Sequence, residues 1–331
     1  ITRVNLLGGV TNFPLVVGGV YLAGLKGAVW GLVIGMGVNY FLNHRALKAE
    51  MEKNTIPFTY KDCMQELKVL WDFALPATLA GAMVGPVNWA CNAMLVNQPN
   101  GYAEMGIYNA AYTFQGVLLF LGATIGAPLL PMISSNKGSK HDRLSKVNML
   151  TTWVLGVIFA MPLIAFPEVV QILYGQQFSG INFTRAIVLI IFCTCIVLYK
   201  QGLARVLVAN NLLWWGLLSN LFWGAVMIPS AFFFVRWGAT GLAASFVIGY
   251  VFNTLVFIPL YTKRRLVPKN TIISFDAAAI WIIICVLVAI TWMNSSLLIR
   301  GIFFSVSMII VSAAFFFFFM STYHRVTEIA S

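Results

Sequence analysis

Charge is scarce in this chain of 331 residues: Asp, Glu, Lys and Arg together make up only 9% of it, against about 25% in ordinary soluble domains. Histidine is scarcer still. His44, His141 and His324 are scattered, with no metal-ligand spacing, so no metal centre is read from them. The cysteines, Cys63, Cys91, Cys193, Cys195 and Cys285, are odd in number, and Cys193-Thr-Cys195 lacks the spacing of a zinc or redox pair. All are expected as small apolar core residues. No Gly-rich phosphate loop precedes a helix, and no long polar segment offers room for a catalytic domain, so signals for an enzyme are weak and no cofactor is expected.

What the chain does have is hydrophobic residues, 60% of the total. Runs of about 20 apolar residues are read as membrane-crossing helices, because backbone polar groups in hydrocarbon must be satisfied within the segment. Ten spans are expected, at about 4–22, 25–44, 69–96, 104–132, 148–174, 182–204, 209–235, 239–261, 273–293 and 298–321. The fold class is therefore an all-α integral membrane protein. The net charge of +11 implies membrane lipids as partners and no nucleic acid, because of where it falls. With the first residues on the cytoplasmic side, 17 of the 21 Lys and Arg residues lie inside; Lys26, Arg185, Arg236 and Arg300 are the four outside. That bias orients the helices, with the start and the C-terminus of the chain both cytoplasmic.

An internal echo divides the chain. Gly24–Asn39 and Gly238–Asn253 align at an offset of 238 − 24 = 214, with Gly24/Gly238, Gly27/Gly241, Val33/Val247, Ile34/Ile248, Gly35/Gly249 and Asn39/Asn253 coinciding. Self-similarity of this kind points to two copies of one membrane unit, an arrangement common among secondary transporters. The expected divisions are 1–44, the last helical pair of a first lobe; 45–68, a cytoplasmic interfacial linker with Pro57 and a helix-starting Thr59-x-x-Asp62; 69–262, a six-helix lobe; and 263–331, an additional hairpin and tail. The third span's counterpart would begin near 69 − 214 = −145. The expectation is thus an N-terminally truncated fragment with four further spans upstream, fourteen in all. Prolines at 76, 86, 162 and 167 are expected to kink the third and fifth spans.

Polar residues within spans are costly unless paired or wetted, and so are the site candidates. Asn88 and Asn92 lie one turn apart on the third span; Tyr108, Tyr112 and Gln115 form an i, i+4, i+7 stripe on the fourth, beside Asn109. Amides, phenols and aromatic faces together suit sugar hydroxyls, while helix–helix hydrogen bonding needs the same residues. Lys200 and Arg205, in Lys200-Gln-Gly-Leu-Ala-Arg205, suit an anionic headgroup, and ordinary cytoplasmic flanking accounts for them at least as well. Asp72 and Asp276 open spans, where a carboxylate favours the helix N-terminus.

Several segments in order, Gly106-Ile-Tyr-Asn-Ala-Ala, Ala127-Pro-Leu-Leu-Pro-Met-Ile-Ser, Leu173-Tyr-Gly-Gln-Gln-Phe178, Ala204-Arg-Val-Leu-Val-Ala-Asn-Asn and Gly238-x-x-Gly-Leu-Ala, resemble the multidrug/oligosaccharidyl-lipid/polysaccharide flippase superfamily over about residues 1–262. The resemblance is to its polysaccharide-transporter branch, which contains the O-antigen flippases. It implies a MATE-like two-lobe bundle of two six-helix repeats plus a C-terminal hairpin, sited in the bacterial inner membrane. The activity implied is alternating-access flipping of an undecaprenyl-pyrophosphate-linked oligosaccharide for O-antigen, capsule or exopolysaccharide synthesis. The resemblance leaves open whether H+ or Na+ is coupled and whether a glycan polymerase complex is a partner. Lys200 and Arg205 are the cations that match the family's headgroup-binding role. A drug/cation antiporter of the same superfamily and a membrane-embedded glycan polymerase or ligase are the competing readings.

Overall fold

The computed structural model describes residues 2–55, 64, 67–135, 141–175, 178, 180–264, 275–293 and 295–330. Among them every regular element is helical. The chain forms two compact units, Ile1–Leu67 and Lys68–Ser331.

The first unit is built on α1 (Thr2–Lys53), whose backbone leaves helical geometry at Ala23 (φ −147°, ψ 25°) and Gly24 (φ 55°, ψ −136°). The chain doubles back there. A Cβ placed on Gly19 would strike the Gly27 carbonyl, one on Gly31 the Leu15 carbonyl, and one on Gly8 the Asn39 amide, so small residues let the two arms meet closely. The second arm continues to Lys53, nine residues beyond the expected end at 44, carrying Arg45 over the Phe41 ring at 5.9 Å. The polar residues 45–53 thus extend the helix instead of opening the linker. Pro57, Cys63 and the Thr59–Asp62 pattern lie outside the described residues.

In the second unit, α2 (Leu67–Val69) and a π-helical turn (Leu70–Ala74) lead into α3 (Leu75–Val96). The wide turn sits just ahead of Pro76, which has no N–H to continue an ordinary ladder. There follow α4 (Gly101–Gly126), α5 (Leu129–Ser135), α6 (His141–Ala165), α7 (Glu168–Tyr174), α8 (Ile181–Ala209), α9 (Leu213–Phe234), α10 (Gly238–Lys263), α11 (Phe275–Trp292) and α12 (Leu297–Ala330). Pro86 and Pro162 lie within helices, as expected, whereas Pro167 ends one: α6 stops at Ala165 and α7 begins at Glu168. The fifth expected span is therefore broken rather than kinked.

Helix α8 is the axis of this unit, packed by α6, α10 and α4. Between apolar helices in lipid the attraction comes from close packing and hydrogen bonds rather than from water exclusion, and small residues provide the close approach. Gly122 and Gly126 of α4, Gly156 of α6 and Gly202 of α8 all stand where a Cβ would collide with the neighbouring helix. The ring of Trp153 on α6 meets Tyr199 of α8 and Trp281 of α11, both at 5.1 Å. Cys91, Cys193 and Cys195 are buried as expected; Cys285 is exposed, because α11 lies at the edge of the bundle.

Six described stretches are long and apolar enough to cross a membrane: Leu6–Lys53, Leu67–Val96, Val147–Ala165, Ile181–Ala209, Leu213–Lys263 and Leu297–Phe317, with a shorter apolar helix at Ala277–Trp292. Two of them, Leu6–Lys53 and Leu213–Lys263, each contain a reversal. Helix α4, expected as a span, is outside this set. Its stripe of Tyr108, Tyr112 and Gln115, with Asn109 beside it, dilutes the apolar character of its first half.

The two reversals share one geometry. Gly238 has φ 65° and ψ −147°, close to the angles at Gly24, in a region of the map open essentially to glycine. Three residues on, a Cβ at Gly27 would strike the Gly19 carbonyl and one at Gly241 the Phe234 carbonyl. Further along, Gly35 faces Asn12 and Asn39 faces Gly8, while Gly249 faces Trp223 and Asn253 faces Ser219. The sequence echo corresponds to one turn and one packing pattern used twice.

Candidate functional site

Lys200 sits within α8, nine residues before its last residue Ala209. At 1.5 Å per residue that is about 13 Å from the helix end. The sequence places the end of this span near 204; the helix carries on five residues further. Lys200 is thus well inside an apolar helix, where an ammonium needs partners.

Its partners are neutral. The Lys200 ammonium donates to Oδ1 of Asn253 on α10 and stands 5.3 Å from the centre of the Tyr250 ring. Asn253 is fully buried, and Ser219 of α9 holds it twice: the Ser219 hydroxyl donates to Oδ1 at 3.1 Å, and Nδ2 donates to the Ser219 carbonyl at 2.7 Å. The amide therefore cannot turn over without breaking these bonds, and its oxygen stays aimed at α8. An aromatic row leads away from the cation. Tyr250 lies 5.4 Å from Trp223, Trp223 6.2 Å from Phe246, Phe246 5.9 Å from Tyr108, and Tyr108 stacks on Tyr112 at 5.8 Å.

Arg205, one turn beyond Lys200, is engaged differently. Its Nε donates to Asn148 Oδ1 at 2.7 Å; one terminal nitrogen donates to the Asn148 carbonyl at 3.0 Å and to Thr152 Oγ1 at 2.7 Å. Asn148 in turn donates to the Gly202 carbonyl at 2.9 Å. The guanidinium lies against Gly126, where a Cβ would displace it. These bonds clamp α6 to α8.

The other expected residues separate. Tyr108 and Gln115 are buried, and Tyr112 is 39% exposed, so the stripe on α4 spans from core to surface. Tyr108 is turned toward α10 through Phe246. Asn109 is exposed, about a quarter turn round the helix from the stripe. On α3, the Oδ1 atoms of Asn88 and Asn92 are both buried without a hydrogen-bond partner, so no hydrogen bond from the α4 stripe reaches either oxygen. Asp72 is exposed in the π-helical turn. No group of three or more His, Cys, Asp or Glu able to hold a metal occurs among the described residues.

Asn253, Ser219, Tyr250, Asn148 and Thr152 escape a reading of single helices. Asn253 is marked only by its match to Asn39, and Asn148 and Thr152 only by their one-turn spacing at the start of an otherwise apolar run.

Over 75 residues, 23% of this chain, the sequence is 32% identical to the EPS I polysaccharide export inner membrane protein EpsE of Ralstonia nicotianae. It is 29% identical over the same length to the protein of that name from Ralstonia solanacearum. The match spans 17% of the length of each relative. No family model and no solved structure matches the chain. The similarity is partial and distant, and it links this helical membrane chain with an exopolysaccharide export protein of the inner membrane.

Proposed function

We propose that the chain belongs to a transporter of the bacterial inner membrane that carries a lipid-linked oligosaccharide across the bilayer by alternating access, for exopolysaccharide, capsule or O-antigen synthesis. The observation that carries this reading is Lys200, a cation within an apolar helix whose partners are an amide and an aromatic face. A structural lysine in such a place gains most from a carboxylate, which would cancel its charge. Here the charge is left for an anion, and a pyrophosphate supplies one. The row of Tyr250, Trp223, Phe246, Tyr108 and Tyr112 offers rings of the kind that stack on sugars. The partial similarity to a polysaccharide export protein points the same way. The two-lobe arrangement is part of this proposal, supported by the paired geometry at Gly24 and Gly238.

Expression of the full-length gene in a flippase-deficient strain tests it. Surface glycan is expected to return with the wild type and to be lost with Lys200→Gln, while membrane levels of the protein stay equal. Failure of the wild type to restore glycan, with several donor glycans supplied and the protein folded in the membrane, overturns the reading.

A further inference from the structure

We infer that Asn253 is the positioning residue for Lys200, a mount that holds the ammonium in place without neutralising it. The inference rests on the transport reading and adds to it a residue that does not itself touch the substrate.

The geometry requires a side chain that accepts a hydrogen bond and carries no charge. An ammonium has three N–H donors and no acceptor. The Asn253 oxygen takes one donor, and the Tyr250 ring faces the cation without consuming a charge. Because Ser219 fixes both ends of the amide, the oxygen is oriented before any substrate arrives. An aspartate at this place has nearly the same shape, yet it would form an ion pair with Lys200 and take up the charge that an anionic headgroup needs. The corresponding residue of the first unit, Asn39, faces Gly8 where Asn253 faces Ser219. The polar setting of the second copy is thus its own and not a by-product of the shared turn.

The test uses the full-length protein purified in detergent, with farnesyl pyrophosphate as the anionic probe and farnesol as its uncharged counterpart, binding being read by thermal shift and titration. Asn253→Asp is expected to weaken farnesyl pyrophosphate by roughly tenfold or more and to leave farnesol unchanged, since the lost Nδ2 donation to the Ser219 carbonyl is local to the amide and the added charge acts on the anion alone. Asn253→Ser, which keeps the site neutral but is too short to reach the ammonium, is expected to weaken the anion by roughly threefold to tenfold and to leave farnesol unchanged. Wild-type affinity for farnesyl pyrophosphate in Asn253→Asp, with Lys200→Gln impaired, overturns the inference and leaves the transport reading standing. Equal losses for the anion and farnesol also overturn it, because they report a purely structural residue. If Asn253→Asp does not fold, Asn253→Ser decides: wild-type affinity for the anion there overturns the inference, and selective loss of the anion supports it. No wild-type affinity for the anion, or an unimpaired Lys200→Gln, sinks the transport reading itself.

Discussion

Lys200 and Arg205 stand five residues apart on one helix, and what separates them is the number of bonds each already makes. Arg205 spends its guanidinium on Asn148 and Thr152, both fully buried on α6. Removing it leaves polar atoms of α6 unpaired between apolar helices, and hydrogen bonds to a charged group are each worth about 1.5–3 kcal/mol. Arg205→Ala is therefore expected to destabilise the protein by about 2–3 kcal/mol, seen as earlier thermal unfolding in detergent. Arg205→Lys should recover only part of this, because an ammonium lacks the fork that reaches three acceptors at once. Lys200→Gln should behave in the opposite way, with little change in unfolding and loss of transport. Unchanged stability in Arg205→Ala would remove the structural assignment. The two cations read alike in the sequence because their partners lie elsewhere: Asn148 is 57 residues from Arg205 and Asn253 is 53 residues from Lys200. Periodicity along α8 carries no trace of either.

At the scale of elements, the turn used twice gives a sharper comparison. Both Gly24 and Gly238 adopt angles that a Cβ disfavours, so alanine at either position carries backbone strain of about 1–3 kcal/mol. Their surroundings differ. Nothing lies within 4 Å of a Cβ on Gly24, whereas at Gly238 it meets the Glu104 carboxylate. That carboxylate accepts the Ala239 N–H at 2.7 Å and so satisfies the start of α10. Gly238→Ala is expected to cost about 1 kcal/mol more than Gly24→Ala, measured as separate unfolding shifts; equal costs would show that Glu104 contributes nothing to the turn. This part of the fold was legible, since glycine at a fixed offset in two copies already implies a backbone requirement. The helical character of the apolar runs was legible for the same kind of reason, the demand that every backbone group be satisfied. Their ends were less so. Lys53 and Ala209 continue helices past the expected limits, because a polar residue marks a change of environment and not a fixed stop, whereas Pro167, with no N–H for the ladder, stands where a helix ends instead of bending.

For the second unit as a whole, the question is what holds the α11–α12 hairpin, which was expected as an addition with no place in the repeat. Three of the four cations expected outside lie in this unit, and Arg185 and Arg300 supply much of the answer. The Arg185 guanidinium, at the start of α8, lies 4.9 Å from the Trp292 ring at the end of α11. Arg300, 4% exposed at the start of α12, donates to Glu168 Oε1 at 2.7 Å and to the Ala165 carbonyl at 3.1 Å, spanning the break between α6 and α7. Arg236 caps the same end over Trp237 at 4.7 Å. Each of these charges has a partner within the unit. Below them, Trp281 fits against Trp153, Phe192 and Tyr199, so the hairpin is pinned at its tip and along its length. The broken α6–α7 segment is thereby part of the attachment, which gives Pro167 a structural consequence. Arg300→Ala should release the tip first, because the buried guanidinium bridges both sides of that break and the aromatic contact lies farther along. Hydrogen exchange of the purified protein is expected to rise in α7 and in the first turns of α12, with α3 and α9 unchanged. A uniform rise across the second unit would mean that the hairpin is built into its global stability, and no rise would mean that Trp281 alone carries the attachment.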